Sequence, residues 1–124
     1  MRNVRIGLLA CLTLAASVAA SQDTEAVVTL TRELKARTPS DWLVRVRWRD
    51  NRLLASITPL PYDTAFQLWY EPEKLHELLV GLCPRPEDRI WTAIASDQDI
   101  VIEPTVGGKS GTEAQVACRA ATAS

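Results

Sequence analysis

The clearest pattern lies in the segment from Trp42 to Arg49, where apolar residues alternate with arginines. A period of two predicts a β-strand with one buried face. Asp50-Asn51 is typical of a two-residue hairpin turn and leads into a second predicted strand from Arg52 to Thr58. One face of this hairpin is then entirely apolar, which supports the register. The facing pairs are Trp48 with Leu53, Val46 with Ala55, and Val44 with Ile57.

Two other segments repeat their apolar residues at the spacing of an amphipathic helix. The first runs from Thr24 to Arg37, with acidic residues near its start and basic residues at its end. The second begins at Glu71-Pro72-Glu73, where proline takes the tolerated first helical position, and ends at Cys83-Pro84. The residues expected to face the core are Val27, Leu30 and Leu34 in the first helix and Leu75, Leu78, Leu79 and Leu82 in the second.

Two segments leave their secondary structure open. Between Thr64 and Tyr70, the β-branched and aromatic content favours a third strand over a short helix. The alternating residues of this strand are Phe66, Leu68 and Tyr70. The second segment, Thr112 to Ala121, fits either a short terminal helix or a strand that carries Cys118 back towards Cys83.

A second hairpin is predicted from Arg89 to Ala95 and Asp99 to Pro104, with Asp97-Gln98 as its turn. Its apolar face would consist of Trp91, Ala93, Ala95, Ile100 and Ile102. Together these elements predict an α+β fold. The expected architecture is a small single domain with an antiparallel sheet of four or five strands, two helices on one face, and one disulfide.

The first 20 residues have the pattern of a secretory signal peptide. Arg2 and Arg5 precede an uninterrupted stretch of apolar and small residues from Ile6 to Val18, which is too short to span a bilayer. Cleavage near Ala20 would leave residues 21–124 as a single exported domain. That domain would keep 12 basic and 15 acidic residues, so its net charge would be −3. A mildly acidic balance does not suggest a binder of nucleic acids or of anionic membranes.

Three cysteines become two once the signal is removed, and an even count in an exported chain indicates a disulfide. The predicted bond joins Cys83 to Cys118, and closing that loop would stabilise the fold by about 4 kcal/mol. The N-terminus leaves one alternative open. Leu8-Leu9-Ala10-Cys11 resembles the lipobox of bacterial lipoproteins, in which the cysteine carries a lipid anchor. The apolar run that continues after Cys11 favours cleavage over lipidation.

The outward positions of the first hairpin carry a cluster of basic residues, namely Arg45, Arg47 and Arg49 on the first strand and Arg52 across the turn. Four guanidinium groups on one sheet face are able to bind an anion, such as the carboxylates of a partner protein. The alternative is a solvated face neutralised by Glu103 and Asp99 from the second hairpin. Aromatic residues are not interleaved with the arginines on this outward face as a nucleic-acid groove requires, so nucleic acid is not expected as a partner.

Trp69 is the second candidate for a contact with a partner. It has the opposite parity from the apolar positions of the predicted third strand, so the pattern places it on the exposed side. An exposed tryptophan is a common anchor in protein interfaces. The competing interpretation is a tryptophan at the boundary of the core.

The chain has few residues suited to catalysis. His76 is its only histidine, and the zinc-protease motif that His76-Glu77 begins has Val80 in place of the second histidine. Gly108-Lys109-Ser110 resembles the end of a phosphate-binding loop, but Glu103 stands where the first glycine is needed. Both cysteines of the exported domain are assigned to the disulfide, which leaves no free thiol. These absences argue against an enzyme, a metal site or a bound cofactor.

A small secreted hydrolase such as a ribonuclease is the enzymatic alternative. Such an enzyme would resemble ribonucleases in which a glutamate base, an arginine and a histidine acid converge on one sheet face. Here Glu103 and Arg45 or Arg47 share a face, whereas His76 lies on a predicted helix. The geometry for general acid–base catalysis is therefore poor.

The order of elements from Leu75 to Cys118 is a helix that ends in a cysteine, then a hairpin, then a second cysteine. This layout is similar to that of some pilotins of type II secretion systems, which are small periplasm-facing α/β lipoproteins that carry a secretin to the outer membrane. The similarity is one of architecture and involves no specific motif. It implies an envelope protein that is tethered to the outer membrane and binds another protein.

The favoured interpretation is an exported, non-enzymatic protein-binding or adaptor domain, located in the periplasm or secreted. Its predicted partner is another envelope or secreted protein, and no cofactor, nucleic acid or membrane span is expected. The predicted contact residues are Arg45, Arg47, Arg49, Arg52 and Trp69.

Overall fold

The computed structural model describes residues 23–122. The predicted signal peptide and Cys11 therefore lie outside the described residues. The described chain has the predicted α+β fold with a five-stranded sheet, but it contains four α-helices instead of the two expected. Within it, no helix combines the length and the apolar character that crossing a bilayer would require.

The first helix, α1, occupies residues 23–37, as its apolar spacing predicts. Ala26, Leu30 and Leu34 are buried along one side of it. The backbone N–H of Thr38 donates to the carbonyl oxygen of Leu34 at 3.1 Å and closes the last turn. α1 therefore presents a single apolar side to the sheet.

The first hairpin forms as predicted, with strands β1 (Leu43–Arg49) and β2 (Arg52–Thr58) paired antiparallel. The register is the predicted one, since Trp48 lies opposite Leu53 and the two further apolar pairs follow. The turn residues Asp50 and Asn51 have φ angles of 50° and 64°. Two left-handed residues give the turn type whose twist matches that of the strands, and asparagine and aspartate tolerate this conformation well.

The third strand predicted between Thr64 and Tyr70 is wrong, because this part of the chain forms the helix α2 (Tyr62–Trp69). Ala65 and Leu68 lie three residues apart and both turn towards the interior, as a helical period requires. The alternating aromatic residues do not face the core: Phe66, for example, is 39% exposed.

The helix α3 spans Pro72–Leu82 and begins with proline in its first turn, as predicted. Leu75, Leu79 and Leu82 are buried and form its core stripe. Cys83 adopts an extended conformation and ends the helix.

The predicted second hairpin is wrong in its first strand. Arg89–Thr92 form a single 3₁₀ turn, and only the second strand, β3 (Asp99–Val106), enters the sheet. The side chain of Arg119 fixes the intervening segment, since its Nε and Nη2 donate to the carbonyl oxygens of Gln98 at 2.6 Å and Ala95 at 3.1 Å. These contacts are long-range in sequence, so the local pattern does not reveal them.

The predicted apolar face shared by Trp91 and Ile100 across the second hairpin therefore does not form. Trp91 is partly buried and packs at the margin of the core, with the guanidinium carbon of Arg119 4.6 Å from its ring centre. Ala95 is exposed instead of facing the core. Ile100 and Ile102 are fully buried on β3, as expected.

The C-terminal segment contains both kinds of structure that the sequence leaves open. A short strand, β4 (Lys109–Ser110), is followed by a 3₁₀ turn, the strand β5 (Val116–Ala117) and the helix α4 (Cys118–Thr122). Both short strands pair antiparallel with β3.

The sheet is mixed, so the prediction of a purely antiparallel sheet is wrong. β2 and β3 are neighbours and run parallel, with Ala55 opposite Ile102. Parallel neighbours need a crossover connection, and α2 and α3 lie in it. The strand order is β1-β2-β3-β4, with β5 also on β3.

The helices pack on one face of the sheet, where residues of α1, β2, β3 and α3 form one apolar cluster. The predicted Cys83–Cys118 disulfide is confirmed and joins the end of α3 to the start of α4, with the two Cα atoms 5.4 Å apart. Both cysteines are buried within the cluster. A disulfide of this kind is typical of proteins that fold in an oxidising compartment.

Glu33 on α1 has one carboxylate oxygen that is buried without a hydrogen-bond partner among residues 23–122. Burial raises the pKa of Glu33 above its ordinary value of 4.5, the nearby carboxylate of Asp88 also raises it, and the guanidinium of Arg37 lowers it. Arg37 is itself paired with Asp88 at 3.0 Å. The folded state therefore favours the protonated form of Glu33.

We expect Glu33→Gln to remove a pH-dependent loss of stability. Because the pKa of Glu33 is raised in the folded state, the stabilising contribution of its protonated form is complete below 4.5 and is lost as the pH rises through the raised value. Urea unfolding should show the variant gaining stability over the unmodified protein at neutral pH but not in acid. Glu77→Gln, at an exposed position of α3, is the control. An equal gain in that control would indicate general relief of negative charge and contradict the assignment to Glu33.

Candidate functional site

We call the outer side of the β1–β2 hairpin the arginine face, because it carries Arg45, Arg47, Arg49 and Arg52. All four side chains are exposed, and those on β1 alternate with half-buried residues that face the core. Arg49 and Arg52 lie opposite each other next to the turn. Alternate residues of a strand are about 7 Å apart, so the three arginines of β1 form a column along the strand.

The four guanidinium groups have no acidic partner within residues 23–122. The two ion pairs of that part of the chain join Arg37 to Asp88 and Lys74 to Glu71. No side-chain hydrogen bond of the described chain involves the arginine face either. Its positive charge is therefore available to an anion from outside.

The expected countercharges, Glu103 and Asp99, are engaged elsewhere. Glu103 is only 1% exposed, and its two carboxylate oxygens accept hydrogen bonds from Ser56 Oγ at 2.9 Å and Gln115 Nε2 at 3.0 Å. Asp99 Oδ1 accepts two backbone N–H groups at 2.7 and 3.1 Å. These carboxylates therefore hold β2, β3 and the C-terminal segment together instead of pairing with the arginines.

An apolar strip lies beside the arginine column. Leu54 on β2 and Val101 on β3 face each other and are 5% and 4% exposed. Leu54 also has a neighbour on β1, where Arg47 lies directly opposite it. The aliphatic stem of an arginine covers apolar neighbours while its charged head stays in water. Arg47 is thus the arginine at the centre of the column and next to the apolar strip.

β1 is an edge strand of the sheet. A two-residue turn makes Arg49 and Arg52 a hydrogen-bonded pair, and such pairs recur at every second position of β1. The N–H and C=O groups of the alternate residues, Val44, Val46 and Trp48, therefore point away from β2. None of these groups has a backbone partner among the described residues.

Trp69 lies at the end of α2 and is 42% exposed, but on a helix and not on a strand. Its ring packs on Gly111, where an added Cβ would lie 2.9 Å from the Cη2 and Cζ3 atoms of Trp69. Gly111 follows β4, at the opposite edge of the sheet from β1. The structure therefore places Trp69 and the arginine face at different edges, and they do not form one site.

Sequence reasoning missed an aromatic row along α2. The ring centroids of Tyr62 and Phe66 are 4.9 Å apart in an edge-to-face arrangement, and those of Phe66 and Tyr70 are 6.0 Å apart and stacked. Tyr62, Phe66 and Tyr70 are 53%, 39% and 76% exposed. Their spacing of four residues is the signal that points to a helix instead of a strand.

A cleft of about 600 Å³ opens beside Trp69, between the start of α3 and the segment that links β4 to β5. Its polar lining residues are His76, Ser110, Glu113 and Gln115. No hydrogen bond joins these four side chains to one another in the described chain. A serine nucleophile would need a hydrogen-bonded base, and this arrangement does not supply one. The described residues also contain no cluster of three or more histidine, cysteine or acidic side chains suited to a metal ion.

The residues of the ribonuclease alternative do not converge. Glu103 and Arg45 lie on the outer face of the sheet, as predicted, because Ser56 is opposite Arg45 on one side and opposite Glu103 on the other. His76 is exposed on α3, and α3 packs on the core face. The hydrogen bonds of Glu103 go to Ser56 and Gln115, so within the described chain no hydrogen bond joins His76 to the glutamate.

Of Gly108-Lys109-Ser110, the glycine lies in the turn after β3, and Lys109 and Ser110 form β4 itself. Gly107 and Gly108 have φ angles of 60° and 77°, which favour glycine at both positions. The chain then continues into β4, whereas a phosphate-binding loop leads into a helix whose N-terminus holds the phosphate. Gly107 and Gly108 therefore form a hairpin turn between two antiparallel strands.

No protein-family model matches the chain, and neither curated proteins nor solved structures show significant similarity to it. Its function is therefore inferred from the chemistry of its own surfaces.

We expect Gly111→Ala to displace Trp69 and alter the cleft. The new methyl group would lie 2.9 Å from the Trp69 ring and 3.0 Å from Cγ of Pro104, so the ring must move at a cost of about 1–3 kcal/mol. The indole resonance of Trp69 should shift and the urea midpoint should fall. Gly81→Ala in α3 is the control, since nothing lies within 4 Å of its Cβ and alanine should stabilise the helix. An unchanged Trp69 resonance in Gly111→Ala would contradict the packing described.

Proposed function

We propose that this protein is an exported, non-catalytic domain that binds an acidic surface of a partner protein through the arginine face. The observation that carries the proposal is the set of four exposed guanidinium groups without an acidic partner within residues 23–122. Guanidinium groups pair with carboxylates through two parallel hydrogen bonds, and such pairs are among the stronger polar contacts of proteins. An acidic protein segment would supply the missing partners.

The surroundings of Arg47 favour a protein over a small free anion. The column from Arg45 to Arg49 extends over about 14 Å, which is much longer than a single carboxylate or phosphate. Arg47 also lies beside Leu54 and the apolar strip. Because Leu54 and Val101 are only 5% and 4% exposed, this strip adds little contact surface, and the length of the column is what favours a protein segment over a free anion.

We expect Arg47→Glu to weaken binding of the protein, expressed from its full 124-residue sequence, to immobilised poly-L-glutamate by about tenfold or more. The change removes one guanidinium group and places a carboxylate in the middle of the column, where it repels the probe. The affinity is measured by surface plasmon resonance at low and at physiological salt, with circular dichroism to check the fold.

Arg32→Glu is the matched control for this experiment. It makes the same change of charge on α1, at an exposed position on the other side of the sheet. Binding should stay close to that of the unmodified protein, because the arginine face is intact. Equal losses in the two variants would show that the probe responds to net charge, and an unchanged affinity in Arg47→Glu would remove the arginine face as the contact site.

The location in the periplasm or outside the cell is part of this proposal. The buried disulfide favours an oxidising compartment, and the first 20 residues have the pattern of an export signal. The pilotin-like alternative differs in one chemical feature, a lipid on Cys11, which lies outside the described residues. Either form would present the same arginine face.

We expect the intact mass of the protein recovered from an export-competent bacterium to equal that of a chain starting after Ala19 or Ala20. Reduction should raise that mass by two hydrogen atoms, because one disulfide opens. A diacylglycerol adduct on a chain that begins at Cys11 would favour the tethered alternative. The mass of an unprocessed chain would contradict export.

A further inference from the structure

We propose that the acidic partner segment binds in an extended conformation, as a strand added to the free edge of β1, with acidic residues at every second position. This inference rests on the proposed function and specifies the shape and the sequence pattern of the partner. Addition of a strand to an exposed edge is a recurring mode of peptide recognition in which backbone hydrogen bonds give affinity and side chains give specificity.

The edge of β1 is suited to this mode. β1 is seven residues long, and its burial alternates along its whole length without a bulge in its pairing with β2. The N–H and C=O groups of Val44, Val46 and Trp48 point outwards from the sheet and lack backbone partners in the described chain. The indole N–H of Trp48 donates to the carbonyl oxygen of Asp23 at 3.0 Å, which connects this edge to α1.

The side chains of β1 determine what the added strand must carry. A neighbouring strand would lie about 4.8 Å away, so its residues on the outer face would be next to Arg45, Arg47 and Arg49. Carboxylates at those positions would pair with the arginines. On the inner face the neighbours would be half-buried apolar residues of β1, so apolar partner residues would extend the core. The expected pattern is therefore an acidic residue followed by an apolar residue, repeated.

A second copy of β1 does not fit this edge. In antiparallel pairing of two β1 strands, the arginines of both copies would stand side by side on the outer face. Like charges directly opposite each other destabilise a strand pair, and charged side chains on edge strands oppose this kind of self-association. The same charges attract a strand with carboxylates, so the geometry favours a foreign acidic segment over a homodimer.

The test uses the purified full-chain protein and a fluorescent peptide, Glu-Val-Glu-Thr-Glu-Val-Glu, with fluorescence anisotropy as the readout. Two derivatives carry N-methyl groups, one on the three residues between the glutamates and the other on the four glutamates. In either strand direction, only one of these two sets points its N–H groups at β1. We expect methylation of that set to weaken binding by about tenfold or more, while the other set is tolerated.

Amide hydrogen exchange gives a second readout with an internal control. The N–H groups of Arg45, Arg47 and Arg49 already pair with β2, so they should be protected in the free protein. Those of Val44, Val46 and Trp48 should exchange faster when the protein is free and become protected when the peptide is bound. A lysine peptide of the same pattern should neither bind nor protect them.

The outcomes separate this inference from the proposed function. Binding that Arg47→Glu abolishes but that both methylated peptides retain equally would overturn the added strand and leave the acidic contact standing. Equal loss with both methylated peptides, without new protection at Val46, would also overturn the added strand. Absence of any Arg47-dependent binding of the glutamate peptide would overturn both proposals.

Discussion

The parallel pairing of β2 with β3 is the constraint on which the rest of this structure depends. Parallel neighbours need a crossover, and α2 and α3 lie in it and pack on the same sheet face as α1. Residues such as Ile57 and Ile102 are fully buried on that face. The other face carries Leu54, Val101 and Glu103, which are 5%, 4% and 1% exposed, and the arginines of the first hairpin lie exposed at its border. Alternation along the paired strands β1 and β2 places the four arginines on this face, opposite to the core.

How much of the fold the sequence predicts depends on the range of the contacts involved. The β1–β2 register depends on alternation and on the turn at Asp50-Asn51, which are local signals, and it is correct at every predicted pair. The parallel contact between β2 and β3 joins distant segments, and nothing in either strand distinguishes a parallel from an antiparallel neighbour. In α2, alternation of Phe66 with Tyr70 resembles a strand, but these residues are also one helical turn apart and stack on its outer side.

The candidate site, like the fold, could be predicted only where its contacts are local in sequence. The arginines could be placed on one exposed face from the sequence, because the hairpin itself is local. The hydrogen bonds of Glu103 to Ser56 and Gln115 could not be predicted from the sequence, because they depend on the parallel pairing of β2 with β3 and on the segment that leads into β5. A carboxylate predicted to neutralise the arginines is instead 1% exposed and links β3 to β2 and to the residue that precedes β5. Because Glu103 does not pair with the arginines, the arginine face keeps a positive charge without an acidic partner among the described residues.

Protection of an edge strand and recognition of a partner are not competing explanations for this surface. Charged side chains discourage pairing between identical edges, and lysine would serve that purpose as well as arginine. β1 carries three arginines and no lysine. The planar guanidinium group matches the geometry of a carboxylate, whereas an ammonium group acts as a point charge. A row of arginines repels a second copy of β1 and attracts a strand with carboxylates. The two possible partners are thus distinguished by the sign of their charges, and specificity is a difference of this kind between affinities. In the proposed complex, the arginines that oppose pairing of β1 with a second copy would therefore also select an acidic strand.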